Sequence, residues 1–97
     1  MRESEFRTKF LHDFKKLSPD IIIEFANANR RNGIPDVIIF YKKKHARLET
    51  KRSKDASKRQ LQEYYIEYFN KQGIYAAFLM PENKEEVFNE LRRYFKV

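Results

Sequence analysis

Phe6, Phe10, Phe14 and Leu17 recur at three- and four-residue intervals through an otherwise charged segment, the spacing of one buried stripe on a helix. The helix this predicts over residues 3–17 is stopped by Ser18-Pro19-Asp20, because proline disfavours helical geometry in the residue before it. Ile21 to Phe25 is short and β-branched and predicts a strand. Residues 26–33, rich in Asn and Arg, read as a loop. Val37 to Tyr41 is continuously apolar and predicts a strand buried on both faces. Lys42 to His45 reads as a turn or solvated hairpin end, and Ala46 to Lys51 as the partner strand. Beyond the basic run Arg52 to Arg59, Ser57 and Gln60 have the form of a capping box. Leu61, Tyr64, Tyr65, Tyr68 and Phe69 then make an apolar helical stripe that Gly73 can end. Ile74 to Met80 predicts another strand. Pro81-Glu82-Asn83 breaks it, and Val87, Phe88, Leu91, Tyr94 and Phe95 describe a last amphipathic helix. The order is α-β-β-β-α-β-α, an α/β (α+β) domain with a mixed sheet flanked by helices.

Composition narrows this picture. The chain has 97 residues, enough for one domain over 1–97 with a single core. Its 21 Lys and Arg against 14 Asp and Glu give a net charge of +7, which favours a polyanionic partner through counterion release and steering. Without cysteine, disulfides and thiolate zinc sites are excluded, and a reducing compartment is compatible. No apolar run approaches the roughly 20 residues of a membrane span. The charged N-terminus lacks the apolar block of a signal peptide. The expectation is a cytoplasmic protein with no membrane partner and no organic cofactor.

The candidate chemistry lies in Gly33-Ile34-Pro35-Asp36 and, on the following strand, Glu49-Thr50-Lys51. Strand alternation puts Glu49 and Lys51 on one face and Leu48 and Thr50 on the other. In a hairpin, Asp36 and Glu49 come opposite each other at its open end. Two close carboxylates repel unless a cation lies between them. Oxygen-only ligands favour Mg²⁺ or Mn²⁺ over zinc, and the Thr50 carbonyl can add a ligand. Lys51 then serves as a compact point charge beside the phosphate or the attacking water. Each residue alone also has an ordinary role: a turn-capping aspartate at Asp36, a cross-strand ion pair at Glu49 and Lys51.

These residues resemble the PD-(D/E)xK nuclease superfamily, and in particular its small VRR-Nuc-like phage and bacterial branch. Gly33-Ile34-Pro35-Asp36-Val37-Ile38-Ile39 is similar to the second-strand signature and Glu49-Thr50-Lys51 to the third. Gln60 lies where a helix Gln is expected, and Gly73-Ile74-Tyr75-Ala76-Ala77 resembles the family's later strand entry. The resemblance spans nearly the whole chain and implies a restriction-endonuclease-like core and Mg²⁺- or Mn²⁺-dependent phosphodiester hydrolysis. It also implies a homodimer acting on branched DNA such as four-way junctions or flaps. A non-catalytic nucleic-acid-binding domain that keeps the fold is the alternative.

A carboxylate on the first helix completes the pattern. With Phe6, Phe10, Phe14 and Leu17 as the buried face, Glu3 falls near its centre and Glu5 to one side, so Glu3 is the expected catalytic and metal-water ligand. Favourable placement in the first turn of a helix dipole is its bland explanation, as the capping box is for Gln60. Arg30, Arg31, Lys42, Lys43, Lys44, Arg52, Lys54, Lys58 and Arg59 are candidate DNA-backbone contacts, giving affinity without sequence readout. Asn27 and Asn29 fit turn chemistry. His12 and His45 are isolated, which disfavours a zinc site.

Overall fold

The computed structural model describes residues 2–26 and 33–97. Helix α1 (Glu3–Lys15) is followed by strands β1 (Ile22–Phe25), β2 (Val37–Tyr41) and β3 (Lys44–Thr50). Helix α2 (Gln60–Lys71), strand β4 (Tyr75–Leu79), a 3-10 turn at Pro81–Asn83 and helix α3 (Lys84–Phe95) complete the chain. The strands lie in the order β1-β2-β3-β4. β1 and β2, and β2 and β3, are antiparallel, whereas β3 and β4 are parallel, with α2 as the crossover. The predicted order and mixed sheet are therefore observed.

One face of the sheet carries the main core. Val37 and Ile39 of β2, Ala46 and Leu48 of β3 and Leu79 of β4 are fully buried beneath α1 and α3. Alternation dictates this set, since only every second residue of a strand reaches a given face. Helix α1 contributes Phe6, Phe10, Leu11 and Phe14, and α3 contributes Val87, Leu91 and Phe95. Phe88 stands edge-on to Phe10 and Phe14 at centroid distances of 5.6 and 5.2 Å. Each such pair adds about 0.5–1.5 kcal/mol beyond the area it buries.

Among the described residues the opposite face is covered mainly by α2, which lies over β4 and β3. The Asn70 side chain ties that helix to β4 by accepting from the Ala76 N–H at 2.9 Å and donating to its carbonyl at 3.0 Å. Two sequence expectations change as a result. β2 is buried on one face and half-buried on the other, at Ile38 and Phe40, because α2 does not reach across it. In the α2 stripe only Phe69 is buried, while Leu61, Tyr64 and Tyr68 stay exposed.

Lys42 and Lys43 form a tight turn between Tyr41 and Lys44, with Lys42 at φ 55°. The Lys44 ammonium donates to the Tyr94 carbonyl at 2.9 Å, and the Tyr94 hydroxyl donates to the His45 carbonyl at 2.8 Å. The hairpin end is thereby fastened to the C-terminus of α3, where a positive charge is favoured. No helix among the described residues is long and apolar enough to cross a membrane.

Gly33 enters β2 at φ +83°, and a Cβ there would stand 2.7 Å from Leu61 Cγ. Gly73, at φ +80°, has open space around its missing Cβ. Gly73→Ala should therefore cost only the left-handed conformation, about 1–2 kcal/mol. Gly33→Ala should cost distinctly more, because α2 must also shift. Urea unfolding of both variants measures the difference, and equal losses would contradict the close contact.

Candidate active site

The β2–β3 register, read outward from Val37 opposite Leu48, brings Asp36 level with Glu49 at the open end of the hairpin. Directly opposed residues of an antiparallel pair share a face. β3 is held from its other side by β4, the Lys51 N–H donating to the Leu79 carbonyl at 2.8 Å. Glu49 and Lys51 thus leave the most supported strand of the sheet on the face that α2 covers.

Asp36 is fixed from two directions. Its Oδ1 accepts from the Thr50 N–H at 3.1 Å, with the Thr50 hydroxyl at 3.5 Å, and its Oδ2 accepts from Arg7 Nη1 at 3.2 Å. Thr50 is buried. Its N–H points to the Asp36 edge, so its carbonyl faces the same edge. Burial nonetheless pushes the Asp36 carboxyl above the ordinary carboxylate range, against the opposing pull of Thr50 and Arg7. Glu49 is pushed up to about 7, first by burial, then by the Asp36 charge, with Lys51 pulling the other way. Two half-buried carboxyl groups that resist ionising together are an acceptor set waiting for a cation.

Gln62 joins this pair to the lysine. Its Nε2 donates to Glu49 Oε2 at 3.3 Å, and its Oε1 accepts from Lys51 Nζ at 2.7 Å. The same Oε1 accepts from the Arg59 N–H at 3.1 Å, which caps the first turn of α2. Gln60, the expected helix glutamine, is exposed at the start of α2 and is not brought to the site. In place of the capping box expected from Ser57 and Gln60, α2 is capped by that one bond from the Arg59 N–H to Gln62. Residues 52–56 form turns and bends and residues 57–59 continue without regular structure, which delays the helix, with the Lys54 N–H anchored on Glu82 Oε2 at 3.1 Å. Helical phase held the clue: Gln62 stands seven residues before buried Phe69 and so shares its azimuth.

Glu3 opens α1 seven residues before buried Phe10 and so keeps the azimuth that the apolar spacing assigned to it, but at the first position of the helix it is exposed. The helix begins there, and the first of its core residues is Phe6, one turn further on. The Glu3 charge still reaches the site, raising both Asp36 and Glu49. Glu5 pairs with Arg2 at 3.7 Å. Among the described residues no three acidic or histidine side chains converge closely enough to hold a metal by themselves. Asp36, Glu49 and the Thr50 carbonyl nevertheless suit a hard divalent cation, which is commonly bound by one or two carboxylates with water and substrate phosphate completing its shell.

The basic candidates separate in space. Arg52 lines the open hollow beside Glu3, with Arg2 and Glu5. Lys58 Nζ donates to the Lys54 carbonyl at 3.3 Å and sits over the Phe78 ring, and Arg59 is the N-cap of α2. Lys42, Lys43 and Lys44 lie at the far end of the hairpin, roughly 20 Å from Asp36 along the strand. Lys44 is engaged with Tyr94 there, so this turn does not adjoin the carboxylates as sequence proximity suggested. Arg30, Arg31, Asn27 and Asn29 lie outside the described residues. Arg7, which the sequence reading passed over, is the cation that meets Asp36.

The raised Glu49 pKa has a testable sign. Between its ordinary value of 4.5 and about 7, the native state holds a proton that the unfolded chain has lost. Metal-free stability should therefore fall as pH rises through that window. Glu49→Gln removes the charge and keeps an acceptor. It should melt near the wild type at about pH 5 and higher by on the order of 5 °C at about pH 8. Thermal melts by circular dichroism check this, and an offset independent of pH would contradict it.

No protein-family model matches the chain, and no curated protein does. A solved structure described as a VRR_NUC domain protein superposes with a TM-score of 0.75, over 99% of this chain and 89% of that one, at 19% identity. The chain thus shares the fold of that VRR_NUC domain protein, an α+β restriction-endonuclease-like core.

Proposed function

We propose that the protein is a metal-dependent endodeoxyribonuclease working at the Asp36–Glu49–Lys51 cluster. The observation that carries this reading is the meeting of two cation-seeking carboxyl groups with one ammonium at a single sheet end, in a chain of net charge +7. Asp36, Glu49 and the Thr50 carbonyl would hold Mg²⁺ or Mn²⁺, with Glu3 contributing through water. A bound divalent cation supplies the positive charge that polarises a phosphate oxygen.

The chain's own groups do the rest. Thr50 and Arg7 hold the Asp36 carboxylate in one orientation, which limits reorganisation when substrate arrives. Gln62 stands between Lys51 and Glu49 as a neutral spacer, so the ammonium is positioned by a hydrogen bond and not neutralised by direct pairing. Lys51 Nζ can then stabilise charge developing on the phosphate or orient the attacking water. Arg52 and Arg59, beside the cluster, and Lys54 and Lys58 on the adjoining loop suit contacts to the substrate backbone.

The substrate in this reading is DNA, branched forms such as four-way junctions or flaps included, cut by a pair of copies that each bring one site. A monomeric mass by light scattering at working concentration would count against the pairing.

Lys51→Ala should lower the cleavage rate by about 10²–10³-fold or more, with binding of DNA and the circular dichroism spectrum retained. EDTA should abolish cleavage. Incubation with labelled branched and linear DNAs in Mg²⁺ measures both, and undiminished cutting in either case would remove the mechanism. Gln62→Ala should cost roughly 10–100-fold by releasing Lys51 and Glu49, whereas Gln60→Ala should leave the rate near that of the wild type. The reverse ranking would mean that α2 presents its other glutamine.

A further inference from the structure

His45, Arg47, Glu49 and Lys51 alternate along β3 and its continuation, so all four side chains emerge on the face that α2 only partly covers. Glu49 and Lys51 belong to the cluster already described. Arg47 is unassigned, and its surroundings are unusual for an arginine. It is half-buried, its guanidinium carbon lies 4.6 Å from the centre of the Phe69 ring, and its Nε donates to His45 Nδ1 at 3.4 Å. That is the sole hydrogen bond its side chain makes among the described residues, and none of their carboxylates forms an ion pair with it.

A cation drawn partly out of water without a counter-charge is unfavourable. Arg7, the other half-buried arginine of this region, is by contrast paired with Asp36. Phe69 and His45 together restrict the Arg47 fork: the ring fixes its plane, and the acceptor on Nε fixes its rotation. Both terminal nitrogens are without a partner among the described residues, and they are the pair that binds two oxygens of a phosphate at once.

The position fits the strand chemistry. Alternate residues on a β-strand stand about 6.6 Å apart, close to the backbone length of one nucleotide. Leu61, which abuts Gly33 at the entry to β2, marks the flank of α2 turned toward that strand. The half-buried face of β2 leaves an approach on that side.

We propose that Arg47 grips the phosphate next to the one presented to Asp36 and Glu49, so that β3 measures the backbone of the bound strand. The proposal rests on the nuclease reading of the neighbouring cluster. A phosphate engaged there holds the strand in register with the cluster and supplies the counter-charge that the described residues do not.

Anisotropy titrations of a labelled duplex with a single-stranded tail, in EDTA at several salt concentrations, test it. Arg47→Gln should weaken binding roughly tenfold, whatever the sequence, and reduce the salt slope by about one. Arg47→Lys should keep the slope and recover part of the affinity. Unchanged affinity and slope in a natively folded Arg47→Gln protein would overturn the proposal. If that variant does not fold, single methylphosphonate linkages placed along the oligonucleotide keep the question open to the wild type. One neutral linkage beside the cleaved bond should cost about the same factor, and insensitivity on both sides would overturn the assignment. Wild-type cleavage in Mg²⁺, run in parallel, separates the two ideas. Cleavage with an unchanged slope removes only the Arg47 contact, whereas a reduced slope without cleavage keeps the contact and removes the nuclease reading.

Discussion

The repulsion between Asp36 and Glu49 is the constraint around which the rest of the molecule is organised. A one-residue slip in the β2–β3 pairing would send one carboxyl to the opposite face, so the register must be secure before the site exists. Fully buried Val37, Ile39, Ala46 and Leu48 secure it, since any slip would expose them. Thr50 contributes twice, filling the core with its side chain while its N–H holds Asp36. Cohesion beneath α1 and α3 therefore maintains, at one end of the sheet, a charge arrangement that would not assemble by itself.

The two faces of the sheet divide these tasks. Side chains of α1 and α3, Phe6, Phe10, Phe14 and Phe95 among them, close over one face and complete its apolar core. The other face is left partly open, and there β3 carries His45, Arg47, Glu49 and Lys51 in sequence. α2 crosses that face with one buried aromatic, Phe69, and one polar side chain, Gln62, on the same azimuth. The helix works more as a bracket for Lys51 than as a second core layer, which accounts for its exposed Leu61, Tyr64 and Tyr68.

Much of this was legible in the sequence. The strand run Val37–Tyr41, the Pro81 break and the helical spacings of Phe6 and Val87 each express a period that packing then obeys. The juxtaposition of Asp36 with Glu49 followed from a hairpin and alternation alone. What the sequence did not disclose depends on long-range geometry or on a helix start. Gln62 replaced Gln60 because the loop 52–59 delays α2 by a few residues, and local capping preference pointed to Ser57 instead. Arg7 reaches Asp36 across 29 residues of sequence, a contact that no periodicity encodes. Lys44, which looks like a free basic residue, is recruited by Tyr94 from the other end of the chain.

If Asp36 and Glu49 form a cation site, they take up the ion by giving up a proton. Calorimetric titration of the metal-free protein with Mn²⁺, at about pH 6 and about pH 8 in buffers of differing ionisation enthalpy, measures this directly. The expected result is tighter binding at the higher pH, with proton release at the lower one as Glu49 ionises. Binding of equal strength at both values with no proton released, or no binding at either, would contradict it.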